Sequence, residues 1–141
     1  MNTLSITEYE ILLSKAIGWF YTGSRVIGGA SESSDYDVCA LARRVFLDVI
    51  PFDPDDTSDY AGTGFVSYKF LVGERLINLL VFFDKDFFFS YKSATRLARL
   101  LRVTDKATRV ALFQAICANQ TPEGIEAHLC RIGLLGKEAA L

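Results

Sequence analysis

Gly23-Ser24-Arg25-Val26-Ile27-Gly28-Gly29-Ala30-Ser31-Glu32-Ser33-Ser34-Asp35-Tyr36-Asp37-Val38 is the stretch of this 141-residue chain that decides how the rest is read. A glycine lets backbone approach a phosphate closely, and the Ser24 hydroxyl adds a donor beside the neighbouring N–H groups. Tyr36 and Val38 flank Asp37 with a period of two, which predicts a short strand. Asp35 and Asp37 then project from one face of it. Two converging carboxylates repel each other unless a cation lies between them, and Mg²⁺ or Mn²⁺ prefers such hard oxygen ligands, with phosphate completing the shell. The plainer reading of the same residues is a Gly-Ser turn followed by a strand whose aspartates face solvent.

Working outward on the N-terminal side, Ser5-Ile6-Thr7-Glu8 has the form of a capping box. Tyr9, Leu12, Leu13, Ala16 and Ile17 follow at helical spacing, so a helix is expected to about Gly18. Trp19 to Thr22 reads as a buried strand ending in a turn, and Gly23 to Ser34 is too rich in Gly and Ser for a long element. On the C-terminal side, Ala40 to Val49 has a helical reading. Pro51 to Gly64, with two prolines and Asp53, Asp55, Asp56 and Asp59, reads as a surface loop that lacks the Gly and final Glu of a calcium loop. Phe65–Leu71 and Leu76–Phe83 form a hairpin around Val72-Gly73-Glu74-Arg75. Helices are expected over Phe88–Arg102 and Asp105–Ala118, and from the Thr121-Pro122-Glu123 cap to near Gly133. The fold class is α+β, a small mixed β-sheet packed by helices in a single domain spanning 1–141.

Composition narrows the function. Half of the residues are hydrophobic and the net charge is −2, so bulk attraction for polyanions is absent and any nucleotide contact needs a local basic surface. Cys39, Cys117 and Cys130 form no CxxC and read as reduced, buried hydrophobes. His128, the only histidine, is expected to pack or face solvent. No signal peptide or membrane-length apolar run is recognisable, which implies a cytoplasmic protein with no membrane contact.

The glycine-serine pair followed after ten residues by Asp-x-Asp resembles the signature of the DNA polymerase beta nucleotidyltransferase superfamily, in its minimal, kanamycin nucleotidyltransferase-like form. The match covers Gly23 to Val38. The resemblance implies a nucleotidyltransferase-like fold. It also implies an Mg²⁺-dependent transfer of a nucleoside monophosphate from an NTP to an acceptor hydroxyl on a small molecule, an RNA end or a protein. Asp35 and Asp37 would be the catalytic metal ligands, while Gly23, Ser24 and Arg25 would hold the nucleotide. A short transferase of this kind would suit a bacterial operon or a phage genome.

The resemblance weakens at one position. Family members carry a third carboxylate on a later strand, and the positional counterpart in Leu76-Ile77-Asn78-Leu79-Leu80 is Asn78. Asparagine offers a carbonyl oxygen but no charge, so Asn78 is either a neutral ligand at the third site or a satisfied polar residue in a buried strand. The alternative to the enzyme is therefore a catalytically silent protein of the same fold that docks on a protein partner. A basic series, Lys92, Arg96, Arg99 and Arg102 with Lys106 and Arg109 beyond, recurs every three or four residues. It reads as a phosphate or partner contact, or as an ordinary solvated helix face.

Overall fold

The computed structural model describes residues 1–60 and 63–118, together with Ala127 and Cys130. Its elements in chain order are β1 (Thr3–Leu4), α1 (Ile6–Ser14), β2 (Gly18–Thr22), α2 (Ser24–Ile27), β3 (Tyr36–Leu41), a 3-10 helix (Arg44–Val49), β4 (Asp56–Tyr60), β5 (Thr63–Val72), β6 (Arg75–Phe82), α3 (Lys85–Leu100) and α4 (Lys106–Ala118). One six-stranded mixed sheet runs in the order β1-β5-β6-β3-β2, with β4 paired to β5. The α+β class expected from the sequence is the class observed.

The capping box forms as read: Glu8 N–H donates to the Ser5 hydroxyl at 3.0 Å and Ser5 N–H to the Glu8 carboxylate at 2.8 Å. The helix stops sooner than expected, at Ser14, because Gly18 already opens β2. The expected hairpin is present. Gly73, at φ 62°, is the first of two loop residues, as the primed hairpin turns favour, and it fixes Lys69 opposite Asn78.

Three local expectations are corrected. Ala40 and Leu41 belong to β3, and the helical part of that stretch is a 3-10 helix from Arg44 onward. The chain in 51–64 is not all loop. Asp56–Tyr60 forms β4 because β5 otherwise presents an unpaired row of donors and acceptors, and the acidic composition suits an outer strand. Trp19–Thr22 is a strand but not a buried one, since it is the last in the sheet and Trp19 is 46% exposed. The helix expected over 121–133 lies outside the described residues, apart from Ala127 and Cys130, which are helical, and His128 lies outside them too.

Alternation along the strands creates two cores. Val38, Ala40, Leu79, Val81, Tyr68 and Phe70 point to one face, beneath α1 and the 3-10 helix, where they meet Leu12, Leu13 and Phe46. Cys39, Leu41, Leu80, Phe82 and Phe65 point to the other face, against Phe87 and Phe88 of α3 and Cys117 of α4. Ile27 of the single-turn α2 anchors the segment after β2 among Ala94, Ala98, Leu112 and Ile116 of α3 and α4. Among the described residues, no helix is long and apolar enough to cross a membrane.

Candidate functional site

On the α3/α4 face the strand registers place side chains in rows. Thr22 pairs with Asp37, Asp37 with Asn78, and Asn78 with Lys69. The next row is Phe20, Cys39, Leu80 and Ser67, and the one after it contains Leu41, Phe82 and Phe65. The face therefore turns from polar to apolar within two residues along β2, β3 and β6, and within four along β5. Its polar end forms the floor of a cleft of about 580 Å³, walled by Tyr91 of α3 and by Lys106, Arg109, Val110 and Phe113 of α4.

Thr22 fixes one corner. Thr95 donates to the Tyr91 carbonyl at 2.9 Å, so in the 2.8 Å contact between the two hydroxyls Thr22 is the donor to Thr95. The chain then turns at Gly23, whose φ of 75° and packing against the Asp37 carboxylate exclude a larger residue: a Cβ there would collide with Oδ2. The other oxygen of Asp37 accepts from Asn78 Nδ2 at 3.1 Å. Burial raises the Asp37 carboxyl above the ordinary aspartate value; the Asn78 hydrogen bond opposes this, the neighbouring Asp35 charge adds to it, and Arg109 and Lys69 pull it back. Asp35, expected on the strand with Asp37, stands one residue before β3 and outside the lining of the cleft, with its Oδ2 3.8 Å from Lys69 Nζ. Behind the row, burial holds the Cys39 thiol well above its usual range, so that side chain stays neutral.

Asn78 is the most informative member. With its amide nitrogen turned to Asp37, its Oδ1 is shielded from solvent and accepts no hydrogen bond among the described residues. The reverse orientation would set two oxygens against each other. An unsatisfied buried acceptor costs about 1–3 kcal/mol, so a donor or a cation that reached this oxygen would be held there. Asp35, Asp37 and Asn78 Oδ1 are all hard oxygen donors of the kind Mg²⁺ takes, and a cation would also relieve the burial and repulsion that raise Asp37. Among the described residues no three His, Cys, Asp or Glu side chains converge, so phosphate oxygens and water would have to supply the remaining positions.

Not every expected site residue reaches the cleft. The Arg25 guanidinium donates to the carbonyls of Glu32 (2.9 Å) and Ser34 (2.9 and 3.2 Å) and lies 4.4 Å from the centre of the Tyr36 ring. It closes the 23–34 loop and is committed there. Ser24 opens α2, and its carbonyl accepts from Gly28 N–H. Lys92, Arg96 and Arg99 are on α3 but do not line the cleft. Among the described residues the cleft's cations are Lys106 and Arg109 of α4 and Lys69 of β5, set against Asp37 and Asp55.

Lys69 was missed by the sequence reading, although a signal existed. The two-residue turn at Gly73-Glu74 makes every cross-hairpin pair sum to 147, which puts Lys69 opposite Asn78. No family model, curated protein or solved structure matches this chain. The functional reading therefore rests on the residues themselves.

Proposed function

We propose that the cleft binds a nucleoside triphosphate with a divalent cation and transfers its nucleoside monophosphate to an acceptor hydroxyl. The observation that carries this reading is the register that sets Asp37 beside Asn78 and behind Gly23, at the floor of a cleft lined by Lys69, Lys106 and Arg109 in a chain of net charge −2. Asp35, Asp37 and the Asn78 amide oxygen would hold the cation, which when bound neutralises phosphate charge. Lys69, Lys106 and Arg109 attract and orient the phosphate tail, and Gly23 lets the Asp37 carboxylate lie directly against the backbone. In the reaction the acceptor oxygen bonds to the α-phosphorus as the bond to pyrophosphate breaks. Asn78 cannot take the acceptor's proton, so that proton passes to water, which makes turnover slow.

The neutral Asn78 also supports a second reading, in which the same site binds a nucleotide without turnover and the protein acts on a protein partner. One pair of measurements separates the two. Titration calorimetry with an NTP and Mg²⁺ is expected to show binding that weakens at least about tenfold, or 1.4 kcal/mol, in Asp35→Ala/Asp37→Ala. Label transfer to pooled RNA, protein and small-molecule acceptors is expected to be slow in the wild type. In Asn78→Asp it should rise toward the range of about 10²–10⁴-fold typical of a general base. Equal affinity in a folded double-alanine variant removes the nucleotide site. Binding without transfer in either wild type or Asn78→Asp leaves the second reading.

A further inference from the structure

The sheet has two edges, and they are built differently. On the β5 side, β1 and β4 each pair with part of the strand, the segment entering β4 carries Asp53, Pro54 and Asp55, and β4 itself opens with Asp56. Acidic residues and proline are the usual means of keeping a sheet edge from recruiting another strand. At the opposite edge, β2 reads Gly18-Trp19-Phe20-Tyr21-Thr22, with no charge and no proline, and among the described residues it pairs with β3 alone.

Its flanks are apolar on both faces. Trp19 and Tyr21 are 46% and 39% exposed, with rings edge to face at 5.5 Å, and they border a groove of about 860 Å³. On the other face Phe20 meets Phe88 at 5.0 Å, and Phe88 meets Phe89, which is 53% exposed. Ile17, just before the strand, is 67% exposed.

We propose that β2 pairs with β2 of a second copy of this chain, joining two sheets edge to edge across a two-fold axis. The strand itself selects this occupant. It carries no charge of its own, although Glu10, Glu74 and Arg75 line the bordering groove, and its Trp19-Phe20-Tyr21 centre complements itself. A two-fold axis perpendicular to the sheet makes the pairing antiparallel, and centring it on Phe20 uses all five residues, more than any other register allows. Trp19 then lies opposite Tyr21 of the second copy, and Tyr21 opposite Trp19, so two aromatic cross-strand pairs form on one face. Phe20 meets its own counterpart on the other face, where Phe89 adds a further exposed ring. The Asp37 cleft opens elsewhere in each copy, with Thr22 as the only β2 residue lining it.

Light scattering tests the pairing, with the emission of Trp19, the only tryptophan, as an internal reporter. The wild type is expected at twice the 15.7 kDa chain mass. On dilution from about 100 to about 1 μM the mass should fall while the emission shifts to the red. Trp19→Lys/Tyr21→Lys sets lysines opposite lysines and should weaken association by about a hundredfold or more. Trp19→Thr/Tyr21→Thr keeps strand propensity and should weaken it less, so the proposal stays testable if the lysine variant does not fold. Trp19→Cys/Tyr21→Cys should give a disulfide-linked dimer that neither single variant gives. A wild type of single-chain mass at all concentrations overturns the proposal. So does a folded lysine or threonine variant that associates as tightly as wild type, or a double-cysteine variant that crosslinks no better than the single ones.

Discussion

The two faces of β3 and β6 are made by the same strands, one residue out of step, yet they do different things. Toward α1 the rows are Tyr21, Val38, Leu79, Tyr68 and Trp19, Ala40, Val81, Val66. At their centre Val38, Ala40, Leu79 and Val81 are all fully buried. Toward α4 the first row is Thr22, Asp37, Asn78 and Lys69, and helix packing leaves it accessible through the cleft. The sealed face gains from removing apolar area from water. The cleft face gives up part of that gain by gathering a raised carboxyl, an unsatisfied amide oxygen and a glycine at φ 75° in one place. Costs of this kind are a recognised mark of functional sites.

The largest test of this contrast compares neighbours on β6. Leu79→Ala, on the sealed face, is expected to lower unfolding stability by about 3–5 kcal/mol, because the surrounding core cannot collapse onto the cavity. Leu80→Ala, which opens into the cleft, should cost nearer 2 kcal/mol, the low end of the same range. Denaturant titrations of both variants measure the difference, and equal costs would show the cleft face to be packed as tightly as the sealed one.

A smaller effect isolates the close approach at Gly23. Gly23→Ala and Gly73→Ala both force alanine to a positive φ, which costs about 1–2 kcal/mol, and more at Gly23, whose ψ of −167° lies in a region that essentially only glycine adopts. Only the first also drives a methyl into Asp37; nothing lies near the added carbon at Gly73. Gly23→Ala should therefore be the less stable of the two and should alone weaken nucleotide binding with Mg²⁺, both measurable by thermal melts with and without the ligand.

The smallest effect concerns pH. Because the Asp37 carboxyl is raised in the native state, the native chain holds its proton to higher pH than the unfolded chain does. Stability therefore falls as pH rises from the ordinary aspartate value through the raised one, and remains lowered above it. Asp37→Asn removes this loss while still accepting from Asn78. In the absence of divalent cations the variant should melt above wild type at neutral pH, and the gap should close as the pH drops below the ordinary aspartate value. A gap independent of pH would place its cause elsewhere than in the Asp37 charge.

How much of this was legible beforehand depended on the range of the interaction. The Ser5–Glu8 capping box was readable because both of its hydrogen bonds span three residues. The 51–64 stretch was misread because its acids and prolines are equally suited to a loop and to an outer strand, and only the open edge of β5 distinguishes them. Arg25 was assigned to phosphate because a cation beside a Gly-Ser turn has that chemistry, but the loop's own carbonyls lie closer.

From its sequence alone this chain determined its α+β class, the alternation that separates Asp37 and Asn78 from Val38 and Leu79, and the hairpin register that puts Lys69 opposite Asn78. Each follows from backbone periodicity or from a two-residue turn, which act over short range. The tertiary structure alone decided that Asp37 meets Asn78, that Lys106 and Arg109 rather than Lys92, Arg96 and Arg99 face the cleft, and that β2 ends the sheet. β3 and β6 are parallel, so no tight turn joins them. Their register is set by how the side chains of both faces pack once helices and strands are in place, and no local stretch of sequence contains that information.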